Sequence, residues 1–245
     1  MKPLHLAIGI FDGVHRGHRY LLQSAIEIAK KEKALSGALT FHPHPKQVLQ
    51  LPNAPQLIYP IQQRYWLLKQ LGCDSVFIKK FTEPWSQSTP DQFFAYLMRL
   101  FPNLSHLYIG EDFRFGHKRL GTLDLLQRFC EKTAVQLHII PHLKQDGEKI
   151  CSTRIRKALN EGLVSFANQL LYKSYHCIGN ITPTWQFQHR CELKLKDGMY
   201  ACRMFCKKAE QNLILQVKQG LYRLVSDLDP SFQKRTCLLE FQKEL

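Results

Sequence analysis

Two histidines, His15 and His18, are the residues whose types and spacing most directly indicate chemistry. They flank Gly17 in a His-x-Gly-His step. A helix that begins near His15 would place both imidazoles on one face of its first turn, where unpaired amides and the helix dipole favour anions. Gly17 has no side chain, so a phosphate can approach the backbone closely there. The pattern predicts a polyphosphate site. The alternative is a helix cap with two surface histidines.

The segments on either side of these histidines predict the elements that hold them. Apolar residues alternate before the histidines and lead to a turn at Gly13: Leu4, Leu6, Ile8 and Ile10. An amphipathic run at residues 21–31 follows and predicts a helix. A strand, a glycine-bearing loop and a helix N-terminus together form the usual anatomy of a phosphate site.

The first two-thirds of the chain alternates between strand and helix patterns, which favours a parallel sheet covered on both faces. Prolines between residues 43 and 60 predict a loop, and residues 62–71 a helix. Thr89 is expected to cap a helix with Pro90 at its first position. We expect that helix to bury Phe93, Phe94, Leu97, Leu100 and Phe101. Ligands of such sheets lie beyond the carboxyl ends of the strands.

A later segment, Ser152-Thr153-Arg154-Ile155-Arg156, predicts the start of another helix with Ser152 as its N-cap. At about 100° per residue, Arg156 shares a face with Ser152 and Thr153, and Arg154 lies nearly opposite. Arg156 is therefore the better candidate for a phosphate ligand. Its alternative is a surface arginine one turn into a helix.

A loop bracketed by Gly110 and Gly116 holds two aromatic residues, one arginine and one carboxylate: Asp112, Phe113, Arg114 and Phe115. A mobile segment of this kind can place an aromatic ring against a planar ligand, and an arginine against a phosphate. The alternative is a basic, aromatic loop that packs on its own domain.

Composition indicates an ordered protein that acts on anions. The chain has 245 residues, 44% of them hydrophobic, and a formal net charge of +14. Positive potential speeds the capture of phosphorylated substrates. Nucleic acid is the rival partner, but the basic pairs are short and dispersed, without interleaved aromatics, so we expect no nucleic-acid binding.

The apolar runs, the N-terminal segment and the cysteine spacing predict the cellular location and the metal content. No apolar run approaches a membrane span, and the N-terminus lacks the order of a signal peptide, so a cytoplasmic protein without membrane contact is expected. The eight cysteines lack paired CxxC spacing, and we interpret them as reduced thiols. We predict no protein-bound metal, and the sequence predicts no oligomeric state.

Four segments in order resemble the prokaryotic FAD synthetases of the nucleotidyltransferase superfamily. They are residues 9–18, Phe41-His42-Pro43-His44-Pro45, residues 110–116 and residues 151–156. Ile10 and His42 depart from the family pattern, which usually has Asn and an acidic residue there. The resemblance implies an α/β fold, with a Rossmann-like nucleotidyltransferase domain at residues 1–171.

The resemblance also implies the reaction: an FMN phosphate oxygen attacks the α-phosphorus of ATP in line, with Mg²⁺ bound to ATP, and gives FAD and pyrophosphate. His15, His18 and Arg156 are the expected catalytic residues. The ATP-binding residues would be Gly9, Ile10, Phe11, Asp12, Gly17, Ser152 and Thr153. The flavin-binding residues would be Pro43, His44, Asp112, Phe113, Arg114 and Phe115. Whether Asp12 meets the metal, a hydroxyl group or its own loop stays open.

Bifunctional members of this family add a riboflavin kinase β-barrel. Asp197-Gly198-Met199-Tyr200-Ala201 resembles one of its strands, but the kinase's Gly-x-Pro-Thr-Ala-Asn loop is absent, and Trp185 follows Pro183-Thr184. We therefore expect a small, shortened, inactive β-barrel-like domain at residues 172–245. The alternatives are a bifunctional enzyme, a nucleotidyltransferase with another phosphorylated acceptor, and a noncatalytic flavin or nucleotide sensor.

Overall fold

A computed structural model of the chain describes residues 1–207, 209–226, 229, 232 and 235–245. The chain forms two compact units. The first contains Met1–Phe11, Gly17–Pro55 and Ile61–Lys144, and the second contains Asp12–Arg16, Gln56–Pro60 and Gln145–Leu245. His18 thus belongs to the first unit and His15 to the second. The domain boundary after residue 171 stays a prediction.

The first unit is built on a five-stranded parallel sheet. Its strands are β1 (Leu4–Ile8), β2 (Leu35–His42), β3 (Ser75–Lys80), β4 (Leu104–Gly110) and β5 (Gln136–Ile140), in the order β3-β2-β1-β4-β5. Every neighbouring pair is parallel. This order reverses direction between β1 and β4, as in doubly wound nucleotide-binding folds. The Rossmann-like fold predicted from the sequence is confirmed.

The helices of the first unit follow the predicted alternation. They are α1 (Arg16–Lys31), α2 (Pro45–Val48), α3 (Ile61–Gln70), α4 (Glu83–Ser86), α5 (Pro90–Leu100) and α6 (Leu123–Lys132), with a 3₁₀ turn at His117–Arg119. The helix predicted to begin near His15 begins at Arg16. Our prediction of continuous loop after residue 43 was wrong, because Pro45 starts α2 and the His44 side chain caps it by accepting from Lys46 N.

Helix α5 shows how local signals fix an element. Thr89 and Gln92 form a reciprocal capping box, and Pro90 occupies the first turn. Phe101 is buried as expected, but Leu100 is 45% exposed, contrary to prediction. The helix ends at Leu100, and Phe101 leaves helical geometry to enter the core in its place.

The second unit contains α7 (Ser152–Asn160), α8 (Val164–Leu170) and a six-stranded antiparallel sheet. Two strands of two residues precede them: β6 (Lys144–Gln145), which begins at the last residue of the first unit, and β7 (Glu148–Lys149). The sheet strands are β8 (His176–Ile181), β9 (Phe187–His189), β10 (Gly198–Cys206), β11 (Ala209–Lys218), β12 (Leu221–Leu224) and β13 (Thr236–Glu244), in the order β12-β11-β10-β13-β8-β9. Successive residues of β10 and β11 alternate between buried and more exposed positions, as the two-residue period of a strand requires.

The outer strands of this sheet approach each other. Gln186 and Arg223 form an isolated antiparallel bridge, and the Leu224 backbone N–H donates to the Trp185 carbonyl over 3.0 Å. These contacts nearly close the sheet into a barrel. The predicted β-barrel-like fold of this region is therefore confirmed.

Candidate active site

The loop after β1 is fixed by two partly buried hydrogen bonds to its backbone. The Ile10 carbonyl accepts from the Thr40 hydroxyl over 2.8 Å and from the Arg64 guanidinium over 2.6 Å. A side chain at Gly9 would have its Cβ 2.8 Å from the Phe11 ring, which folds back over it. Gly9, Ile10 and Phe11 thus set the path by which the chain leaves the sheet.

His18 lies in the first turn of α1. Its imidazole makes an edge-to-face contact with Phe11, with ring centroids 5.3 Å apart. Loss of hydration and the nearby charge of Arg64 lower the pKa of His18 to about 3. The imidazole is therefore neutral at pH 7, and it interacts through hydrogen bonds rather than as a cation.

Arg64 is a component of this region that the sequence analysis missed. Its side chain is 0% exposed on α3, together with Leu67 and Leu68. Tyr65, which recurs with Leu68 at helical spacing, is instead 42% exposed. The spacing could have predicted this burial, because Arg64 precedes Leu67 and Leu68 by three and four residues and so lies on the same face of the helix.

Asp12 holds a second chain segment. Its carboxylate is buried, with both oxygens 3.1 Å from the Ile58 backbone nitrogen and Oδ1 3.3 Å from that of Tyr59. The possibilities left open for Asp12 were a metal, a hydroxyl group or its own loop. The observed partners are backbone donors of Gln56–Pro60, the segment grouped with it in the second unit.

His15 lies between Asp12 and α1 and is 6% exposed. It forms an antiparallel bridge with Leu171, and its neighbour Arg16 donates to the Gln169 carbonyl over 3.1 Å. Gly13 makes the preceding turn with φ of +78°. The first two residues of the His-x-Gly-His step, His15 and Arg16, are thus tied to the backbone of Leu171 and Gln169.

The start of α7 differs from the prediction at one residue. Cys151, and not Ser152, occupies the N-cap position. The Ser152 hydroxyl instead donates to the Asp12 carbonyl over 2.8 Å. This long-range acceptor takes the hydroxyl that would otherwise cap the helix. Thr153, the next residue, is exposed.

Arg156 and Arg154 have different surroundings, as the helical spacing predicts. Arg154 forms an ion pair with Glu148, with 3.1 Å between Nε and Oε2, and donates to the Gln145 carbonyl. Arg156 is half-buried, and this burial lowers the pKa of its guanidinium while the negative charge of Asp12 opposes the shift. Arg156 and Asp12, both in the second unit, therefore interact electrostatically.

The loop after β4 divides its residues between core and surface. Phe115 is 5% exposed and packs against Phe93, with centroids 5.1 Å apart, while Phe113 is half-buried. Asp112 Oδ2 lies 3.3 Å from His142 Nε2, and the exposed Arg114 donates to the Phe113 carbonyl. Flavin binding by these residues stays a prediction.

Three of the four recognised segments follow strands of the parallel sheet: residues 9–18 follow β1, Pro43 and His44 follow β2, and the aromatic loop follows β4. The fourth instead begins α7 in the second unit, after the short strand β7. Asp12, His15, Ser152 and Arg156 share that unit, whereas His18, Pro43, His44 and the aromatic loop belong to the first.

The doubly wound sheet, with a His-x-Gly-His step after its first strand, defines an α/β protein of the Rossmann-like class. The sequence profile of the FAD synthetase family matches residues 1–154. The chain belongs to that family.

Curated relatives carry two kinds of name. A bifunctional riboflavin kinase/FMN adenylyltransferase of Buchnera aphidicola is 30% identical over 82% of this chain and 68% of its own length. One from Bacillus subtilis is 34% identical over 71% of this chain and 55% of its own. A Listeria monocytogenes protein named FAD synthetase is 33% identical over 71% of this chain and 70% of its own.

A solved structure shares the whole fold. It is described as a macrolide-efflux protein from Streptococcus pneumoniae, and its TM-score is 0.87 at 23% identity, over 100% of this chain and 95% of that one. This likeness shows the fold alone. Among the described residues, no helix is both long and apolar enough to cross a membrane.

Proposed function

We propose that this chain is an FMN adenylyltransferase, which transfers AMP from ATP to FMN and gives FAD and pyrophosphate. The observation that carries the proposal is the His-x-Gly-His step at the start of α1, inside the segment that matches the FAD synthetase family. ATP, with its Mg²⁺, and FMN are the proposed substrates. We also propose that the protein acts in the cytoplasm, without nucleic-acid or membrane partners.

The reaction we propose is a direct, in-line displacement. A phosphate oxygen of FMN bonds to the α-phosphorus of ATP as the bond to pyrophosphate breaks. The attacking phosphate is already ionised at neutral pH, so positioning and charge neutralisation contribute more than a general base. No covalent intermediate with the protein is needed.

The surroundings of each residue support a distinct role. His18 is neutral, so we assign it a hydrogen bond to the triphosphate rather than a full positive charge. Arg156 supplies permanent charge, because guanidinium stays protonated even when burial lowers its pKa. His15 is assigned to the same triphosphate. Gly17 allows the close approach of a phosphate to the backbone at the start of α1.

Mg²⁺ is proposed to enter with ATP, held mainly by phosphate oxygens and water, as is usual for this ion. The carboxylate in the opening motif, Asp12, is engaged by the backbone N–H groups of Ile58 and Tyr59. We therefore assign Asp12 a positioning role and place no protein metal ligand in the motif.

We further propose that the barrel lacks riboflavin kinase activity. Residues 182–186 between β8 and β9 form a tight turn, in which the Thr182 hydroxyl lies 3.0 Å from that of Thr184 and accepts from Gln186 N. A compact turn at this place supports the loss of the kinase loop. The Listeria relative named FAD synthetase alone is consistent with this assignment.

The test is chromatographic separation of flavins after incubation with ATP, Mg²⁺ and either FMN or riboflavin. FAD from FMN alone is expected. The variant His15→Ala/His18→Ala should lose it, and His117→Ala, on the 3₁₀ turn, should keep it as the matched control. FMN or FAD from riboflavin would contradict the inactive barrel, and absence of product from both substrates would contradict the adenylyltransferase proposal.

A further inference from the structure

Two cysteines and one histidine of the barrel form a cluster that adenylyl transfer does not use. Cys177 lies in β8, His189 is the last residue of β9, and Cys191 follows two residues later. One ligand atom of each lies within 4.8 Å of the other two. Cys177 is buried, and His189 and Cys191 are partly exposed.

The register of β8 and β9 brings these residues together. Gly179 is paired with His189 in the antiparallel ladder. Residues two apart lie on the same face of a strand, so a continued register places Cys177 opposite Cys191. Their sulfur atoms are 3.3 Å apart. At Gly179 a Cβ would overlap the Gln188 carbonyl oxygen, so the close approach of the two strands requires glycine.

Neighbouring groups hold the three side chains in place. His189 Nδ1 accepts from the Cys191 backbone N–H over 3.1 Å, and the histidine ring contacts that of Tyr222 with centroids 4.2 Å apart. The Cys177 thiol donates to the Tyr175 hydroxyl over 3.6 Å. Ring packing therefore fixes the orientation of His189, whereas the Nδ1 hydrogen bond has to break when the imidazole binds an ion, because a neutral imidazole has a single nitrogen lone pair.

We propose that Cys177, His189 and Cys191 bind a thiophilic divalent metal ion, with Zn²⁺ as the best match. Two sulfurs and one imidazole are a donor set that Zn²⁺ accepts, with one further position left for water or a small ligand. Each thiol releases its proton to solvent as its sulfur bonds the ion. The two thiolates then neutralise the charge of the ion, and no redox step is involved.

The observed separations suit such an ion. Zn–S bonds of about 2.3 Å and Zn–N bonds of about 2.0–2.1 Å in a tetrahedron separate the ligand atoms by roughly 3.5–3.8 Å. The 3.3 Å between the two sulfurs needs only a small movement to reach that value. A disulfide is the competing use of the same pair, but all eight cysteines are free thiols in the structure.

The first test is Co²⁺ titration of the full, reduced, chelator-treated chain under argon. A thiolate-to-cobalt charge-transfer band and the intense visible bands of tetrahedral Co²⁺ are expected to saturate at one ion per chain, and Zn²⁺ should bleach them. No binding, or a weak octahedral spectrum without charge transfer, overturns the proposal.

The second test locates the ligands without relying on a variant that has to fold. Alkylation of the wild-type chain with and without Zn²⁺, mapped by mass spectrometry, should show protection of Cys177 and Cys191. Protection confined to other cysteines, or a Cys177–Cys191 disulfide that persists in the reducing buffer, overturns the site.

Single variants then check each ligand. Cys177→Ala, His189→Ala and Cys191→Ala should each lose the spectrum of the tetrahedral site. Cys237→Ala is the matched control, because Cys237 is a buried thiol of β13 in the same sheet, and it should keep the spectrum. An unchanged spectrum in both Cys177→Ala and Cys191→Ala would exclude these sulfurs as ligands.

Discussion

The carboxylate of Asp12 accepts from the backbone N–H of Ile58, with both carboxylate oxygens 3.1 Å from that nitrogen. A residue of the family's opening motif therefore satisfies a buried backbone donor 46 positions further along the chain. Asp12 therefore stabilises the fold around the motif. The negative charge of the same carboxylate also raises the pKa of Arg156, against the lowering caused by burial.

Replacing Asp12 should cost stability. Asp12→Ala leaves the N–H groups of Ile58 and Tyr59 without their acceptor, and hydrogen bonds to a charged group contribute about 1.5–3 kcal/mol. We expect the free energy of unfolding in urea to fall by at least that amount. Asp12→Asn keeps one oxygen and should lose less, and the exposed Glu27→Gln serves as the control. Unchanged stability with lost FAD formation would instead assign the carboxylate to the substrate.

Arg156 and Arg154 provide a matched pair on one helix. Arg156→Ala should lower FAD formation by about 100- to 1000-fold, since it removes a preorganised charge from the developing transition state. Arg154 already pairs with Glu148, so Arg154→Ala should leave the rate near wild type. Initial rates at saturating ATP and FMN check this. Equal losses in both variants would mean that α7 contributes through its stability alone.

Phe115 and Phe113 separate core packing from flavin binding. Phe115 is buried against Phe93, so Phe115→Ala should cost about 3–5 kcal/mol in urea unfolding. Phe113 is half-buried, so Phe113→Ala should cost less stability and raise KM for FMN. If Phe113→Ala leaves KM unchanged, the loop contacts its own domain rather than the flavin ring.

Stability should fall with acid, and His18 is one cause. Its pKa is about 3 in the folded chain and 6.5 as an ordinary histidine, so between these values only the unfolded chain binds the proton. The free energy of unfolding then decreases by about 1.4 kcal/mol per pH unit for this group as pH falls below 6.5. Burial lowers the pKa of His5, His138 and His176 in the same direction.

Urea midpoints from pH 7 to pH 5 measure this dependence. His18→Gln removes one titrating group, so its midpoints should fall less steeply than those of the wild type. Identical slopes in the two proteins would mean that His18 is protonated as readily in the folded chain as in the unfolded one.

Local signals were enough to predict much of the fold. The helix cap at Thr89, the strand at β1 and the helical spacing of Arg156 and Arg154 all depend on residues a few positions apart, and the structure shows each, although β1 ends at Ile8, before Ile10. The same holds for the order of strands and helices in the first unit.

Features that depend on distant partners were not predictable in this way. The burial of Arg64 follows from the carbonyl of Ile10, and the loss of the Ser152 cap follows from the carbonyl of Asp12. Cys177 and Cys191 become neighbours only once the register of β8 and β9 is known. Hydrophobic periodicity does not encode which distant backbone group a polar side chain will meet.

The bridge between Gln186 and Arg223 also bears on self-association. An exposed outer strand is a template on which another chain can add a strand and begin to aggregate. Here the two outer strands of the barrel, β9 and β12, approach each other, and the bridge pairs some of the backbone groups that an outer strand otherwise leaves open. In the parallel sheet, the outer strand β3 ends in Lys79 and Lys80, whose charges oppose stacking of a second copy. The barrel and the β3 edge of the parallel sheet thus each carry a defence against edge-to-edge polymerisation.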